Sequence, residues 1–129
     1  MSQIREQLKQ AMSITPAQDG QSFAAEFAFP PDFVGFQGHF EGNPVVPGVC
    51  IIAAVLLGAE TTLKCPLKIA RVVSSKFYSP VLPNMRVTMD AAMVTQPAGY
   101  QVKAGLSSEG RKVAAVSLLL KRQGTGANA

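Results

Sequence analysis

The amino-acid sequence predicts a single α+β domain in which an antiparallel sheet curls around one buried helix. Two patterns carry the prediction. From Pro47 to about Lys64 the chain reads as a helix that is apolar all round, so it requires burial on every side rather than along one stripe. From residue 69 to 122 it reads instead as β-like runs separated by short turn signals, the punctuation of antiparallel hairpins. A sheet with one apolar face and a helix with none exposed bury each other. A chain of 129 residues suits one such domain, and no internal repeat points to a second.

Taken in order, residues 1–14 read as a short amphipathic helix, because Ile4, Leu8 and Met12 recur every four residues. The stretch 15–21, "TPAQDGQ", is rich in turn formers. A strand is expected over 22–30, marked by Phe23 and Phe27. Residues 30–44 hold Pro30, Pro31, Pro44, Gly35, Gly38 and Gly42, too many breakers for a regular element. An ordered loop held by Phe33, Phe36 and Phe40 is expected there.

The helix over 47–64 places Pro47 in the first turn, where its missing N–H costs nothing. Cys65-Pro66 ends it, since the residue before a proline resists helical geometry. Strands are expected over 69–81, 85–96, 99–108 and 111–122. Val87, Met89, Ala91 and Met93 alternate with more polar neighbours, as in a strand with one covered face. The domain then spans 1–122, and the tail 123–129, "QGTGANA", is expected to be disordered.

Composition narrows the functional classes. The chain is 47% hydrophobic and 16% charged, with 12 basic and 8 acidic side chains for a formal charge of +4. Its cations are scattered singly (Arg71, Lys76, Arg86, Lys103) or in the pairs Arg111-Lys112 and Lys121-Arg122, without interleaved aromatics. That argues against nucleic acid and suits a mildly basic face offered to an acidic protein partner. One histidine and two cysteines, Cys50 and Cys65, at unsuitable spacing exclude a metal centre and a disulfide framework. The N-terminus lacks the apolar core of a signal peptide. The apolar run 45–59 is broken by Pro47 and Gly48 and is shorter than the roughly 20 residues that cross a bilayer. A reduced cytoplasmic protein without a membrane segment is expected, and no cofactor is implied.

The chemistry concentrates in "GFQGHFEGNPVVPGVCIIAA". Here the lone His39 sits in a Gly-rich loop that runs directly into the buried helix. An imidazole of pKa near 6.5 exchanges protons at cellular pH. The opening helix, at Pro47-Gly48-Val49, presents free backbone N–H groups with partial positive charge. Base and amides together are what proton abstraction beside a thioester carbonyl needs, because the carbanion's charge moves onto oxygen. A structural histidine bonded to a loop carbonyl satisfies the same spacing.

The same stretch resembles the signature of the 3-hydroxyacyl-acyl-carrier-protein dehydratases of fatty-acid synthesis, which are hotdog-fold enzymes. Gly38, His39, Phe40, Gly42, Pro44, Pro47, Gly48 and Val49 fall in place, and "SSKFYSPVLPNMRVTM" resembles the family's strand–proline–strand segment. The resemblance covers roughly residues 30 to 122. It implies a sheet wrapped around the 47–64 helix and a homodimer, or a dimer-based assembly, with sites at the subunit interface. The implied partners are an acyl-carrier-protein or coenzyme A thioester and the acidic carrier itself. His39 is then the base, the Gly48 and Val49 amides bind the thioester oxygen, and Phe36, Phe40 and Ala53 line the substrate pocket.

Two departures qualify the resemblance. The family places an acid fourteen residues after the histidine, where this chain has Ala53. The usual His-Arg-containing segment before the first strand has no counterpart in residues 1–29. Candidate substitutes for the acid are Glu41, two residues after His39, and Glu60. The latter is seven residues beyond Ala53 and therefore about 10 Å along the helix. Both read more simply as solvated carboxylates, Asn43 as a turn residue, and Cys50 as core. Three functions remain open: a dehydratase-like hydro-lyase, a hotdog thioesterase, and a non-catalytic acyl-carrier-binding subunit paired with an active homologue.

Overall fold

Helix α1 (Ser2–Ala11) drives Leu8 into the core, where it is fully buried, and packs on the central helix and the first strand. Strands β1 (Met12–Pro16) and β2 (Ser22–Phe27) follow, then the central helix α2 (Gly48–Leu63). Strands β3 (Leu67–Phe77), β4 (Val87–Gln96), β5 (Gly99–Ser108) and β6 (Arg111–Arg122) complete the chain. The computed structural model describes residues 2–33 and 45–123. All six strands form one antiparallel sheet in the order β1-β2-β4-β5-β6-β3, so β1 and β3 are its edges.

The sheet wraps the helix as expected. Along β4 the residues Val87, Met89, Ala91 and Met93 point inward and their neighbours outward, and β2 and β5 alternate likewise. Facing them, α2 buries Cys50, Ile51, Ala54, Val55, Leu57, Gly58 and Ala59. Gly58 allows a close approach, since an added Cβ there would lie 2.2 Å from Cε1 of the buried Phe23 ring. Beyond β2, Phe29 and Phe33 stack with ring centroids 4.4 Å apart and are both buried in the core.

Several boundaries differ from those expected, each for a physical reason. Residues 12–14 are not the end of the first helix. They open β1, which pairs with β2 from Met12↔Phe27 to Pro16↔Phe23 and also takes up the start of the expected turn. The four-residue apolar spacing reaches Met12, but pairing with β2 gives the backbone more than one further helical turn would. β2 stops at Phe27, three residues short of Pro30. β3 runs 67–77 rather than 69–81, and β4 begins at 87 rather than 85 because Asn84, at φ 65, makes the turn before it.

Pro47 lies just outside α2 as its N-cap, at φ −63 and ψ 148. Gln123, expected to begin the disordered tail, is tied down: its N–H donates to Pro66 O and its Nε2 to Leu67 O. The rest of that tail, 124–129, lies outside the described residues.

Candidate active site

The first turn of α2 carries the backbone groups expected to matter. Pro47 offers no side-chain cap, while the N–H groups of Cys50 and Ile51 both turn back to the Pro47 carbonyl. Among the described residues no acceptor takes the Gly48 and Val49 amides, which stand at the positive end of the helix dipole. Gly48 lines a cleft of about 360 Å³ whose opposite wall is Phe77, Tyr78, Ser79 and Pro80.

That wall is fixed by the backbone. Val46 N–H donates to Val81 O, and Tyr78 and Ser79 N–H both donate to Val113 O. The Phe77 ring lies directly over the helix start: a Cβ on residue 48 would stand 2.9 Å from Phe77 Cζ. Glycine at 48 thus leaves room for the ring as well as access to the amide. Sequence reasoning missed Phe77 and Tyr78 as cleft residues. The signal available was the aromatic pair Phe77-Tyr78 immediately before Ser79-Pro80.

Ala53 is half-buried and shares with Val49, Ile52 and Leu56 a face of α2 that the described residues do not cover completely. Cys50 faces the other way, buried in the core, and burial pushes its thiol pKa up. It is held neutral, as a packing group rather than a nucleophile.

Glu60 corrects the expectation of a solvated helix end. It is buried, accepts from Arg5 Nη2 at 2.5 Å through Oε1, and accepts from Leu67 N–H at 2.8 Å through Oε2. A carboxylate at a helix C-terminus is opposed by the dipole, and Arg5 compensates. Both oxygens are thereby engaged. His39, Glu41, Asn43, Phe36 and Phe40 lie outside the described residues. A larger cleft of about 520 Å³, rimmed by Gln7, Glu26, Asp32 and Arg86, shares no lining residue with α2. No helix among the described residues is long and apolar enough to cross a membrane.

An antiparallel sheet wound around one apolar helix is the hotdog fold, and the solved structures agree. The chain superposes on the dehydratase heterocomplex ApeI:P from Xenorhabdus doucetiae with a TM-score of 0.73 at 21% identity, covering 86% of this chain and 94% of that one. It superposes on a sigma28-regulated virulence protein from Campylobacter jejuni at 0.70 and 13% identity, over 93% and 95% of the two chains.

In sequence, it is 35% identical over 92 residues to the 3-hydroxyacyl-[acyl-carrier-protein] dehydratase FabZ of Symbiobacterium thermophilum. The match covers 65% of this chain and 64% of the relative, so it spans just under two thirds of that protein. Residues 15–116 match the ApeI-like family, described as ApeI dehydratase. The chain belongs to that family of hotdog dehydratases.

Proposed function

We propose that the protein is a hydro-lyase acting on 3-hydroxyacyl thioesters, carried by acyl carrier protein or coenzyme A, in fatty-acid, lipid or polyketide-type synthesis. His39 removes the proton beside the thioester carbonyl. The Gly48 and Val49 amides receive the charge that moves onto the carbonyl oxygen. The 3-hydroxyl then leaves with a proton as water, and the enoyl thioester remains. One observation supports this reading above the others: in a dehydratase-family chain, Gly48, whose amide meets no acceptor among the described residues, lines a cleft at the start of α2. Two free cysteines accord with a reduced, cytoplasmic setting.

The proton for the departing hydroxyl lacks its usual donor, because position 53 is alanine. Glu60 is engaged by Arg5 and Leu67, which leaves Glu41, a water, or a group on a second subunit. The second reading, favoured by Ala53 and by the heterocomplex among the structural relatives, is a subunit that holds the acyl thioester while a homologue supplies the acid.

The test is purified protein with 3-hydroxyacyl thioesters on carrier and on coenzyme A. Enoyl product that His39→Ala abolishes supports the enzyme. Carrier-bound thioester that is held but never dehydrated selects the second reading. Absence of both product and binding refutes the two together.

A further inference from the structure

One stripe of α2 changes its surroundings along the helix. Val49, Ala53, Leu56 and Glu60 recur every three to four residues and so lie on one face. Val49 is 69% exposed and Ala53 and Leu56 are half-buried, yet Glu60 is only 8% exposed. The difference comes from α1, which packs on α2 and whose Arg5 bonds to Glu60 Oε1. The stripe is open where the helix starts and closed where it ends.

The inner face of β3 runs beside it. Ile69, Val72 and Phe77 stand opposite the buried Leu120, Leu118 and Ala114 of β6, and paired residues share one face of a sheet. Both ends of β3 are pinned to α2. Phe77 lies over Gly48 at one end, and Leu67 N–H donates to Glu60 Oε2 at the other. An apolar groove thus leads from the Gly48 cleft, between α2 and β3, to a charged end at Arg5 and Glu60.

Its dimensions select a ligand. At 1.5 Å per residue, Leu56 lies about 10 Å beyond Val49 along the helix axis, and Glu60 about 16 Å. Carbon–carbon bonds near 1.5 Å advance an extended alkyl chain by about 1.25 Å each, so about eight carbons reach Leu56 and about thirteen reach Glu60. Driving an alkyl end between Arg5 and Glu60 would strand a buried charge.

We propose that this groove takes the acyl chain of the thioester and that Arg5, held by Glu60, is its end stop, limiting the chain to about twelve carbons. The proposal rests on the function proposed above in placing the thioester carbonyl at the Gly48 amide, and it adds the chain-length class of the substrate.

The probes are saturated acyl thioesters from butanoyl to hexadecanoyl, on coenzyme A and on acyl carrier protein, measured by equilibrium binding below the concentrations at which they form micelles. Affinity should rise about two- to fourfold per added methylene as far as dodecanoyl, and rise no further beyond it. Arg5→Ala should extend the rise to hexadecanoyl.

A second variant, Leu56→Trp, keeps the test decisive if removal of Arg5 unfolds the protein. Its larger side chain fills the groove from the incompletely covered face and should end the rise at octanoyl. Wild-type affinity without a length limit overturns the proposal, and so does a limit that the folded variants leave unmoved. Binding indifferent to length, with a dimer that Leu56→Trp dissociates, gives the stripe to a second copy of the chain and overturns it too. Saturated chains cannot be dehydrated, so the two readings fail separately. A length limit without enoyl product from the hydroxyacyl thioesters keeps the end stop and refutes the enzyme, and product without a limit does the reverse.

Discussion

Arg5 of α1 holds Glu60 of α2 at 2.5 Å, joining the first helix to the far end of the central one. The carboxylate is 8% exposed and the guanidinium side chain 45% exposed. Losing one member of a buried pair is costly because it strands the other. Solvent around Arg5 screens part of that cost, so Arg5→Ala should lower stability by roughly 1–3 kcal/mol. Glu60→Gln should destabilise similarly while leaving dehydration per folded molecule unchanged. Urea denaturation alongside kinetics separates the two: a large fall in kcat with an unchanged urea midpoint would make Glu60 the missing acid after all.

Gly58 of α2 packs directly against the ring of Phe23 in β2. The Cβ of Gly58→Ala would lie 2.2 Å from Cε1 and 2.5 Å from Cζ of a ring that is 3% exposed. The ring is buried, and overpacking of this kind costs about 1–3 kcal/mol. Gly58→Ala should therefore lower the melting temperature clearly. Combining it with Phe23→Leu should recover about 1 kcal/mol relative to the sum of the single changes. Strict additivity in a double-mutant cycle would show that the ring is not the obstacle.

The two thiols should separate chemically. Cys50 is 1% exposed and its pKa is raised above its ordinary 9.0 by desolvation, whereas Cys65 is half-buried. In native protein Cys65 should react first with a disulfide reagent, and Cys50 only on unfolding. The pH dependence follows from the direction of the shift. A folded thiol that holds its proton longer than the unfolded one contributes stability that is intact below the unfolded pKa. That stability is lost as pH rises through the window between the unfolded and the higher folded value. Cys50→Ala should flatten the alkaline fall in stability, measured by denaturation from pH 7 to 10.

These cases show what was legible in the sequence. The apolar block of α2 and the period-two alternation of β4 are local patterns, so helix and meander could be read directly. β1 could not, because "MSITP" has little apolar content and becomes a strand by pairing with β2. The burial of Glu60 was hidden because Arg5 lies 55 positions away. Phe77 over Gly48 is likewise a tertiary contact between segments that share no local pattern. The uncapped start of α2 was legible because cap geometry is local: Pro47 has no side-chain acceptor to offer the first N–H groups.

Ala53 tests the site as a whole. It lies on the incompletely covered face of α2, one turn beyond the exposed Val49, so a longer side chain there can extend without displacing the core. If His39 and the two amides are already in register with the thioester, the chain lacks only a proton donor for the departing hydroxyl. General-acid assistance is worth about 10²–10⁴ in rate. Ala53→Glu should raise dehydration by up to that range, with a new pH dependence in which activity falls as the introduced carboxyl loses its proton. His39→Ala in the same background should remove the gain. No gain in a well-folded Ala53→Glu protein would mean that the histidine and the amides do not share one substrate.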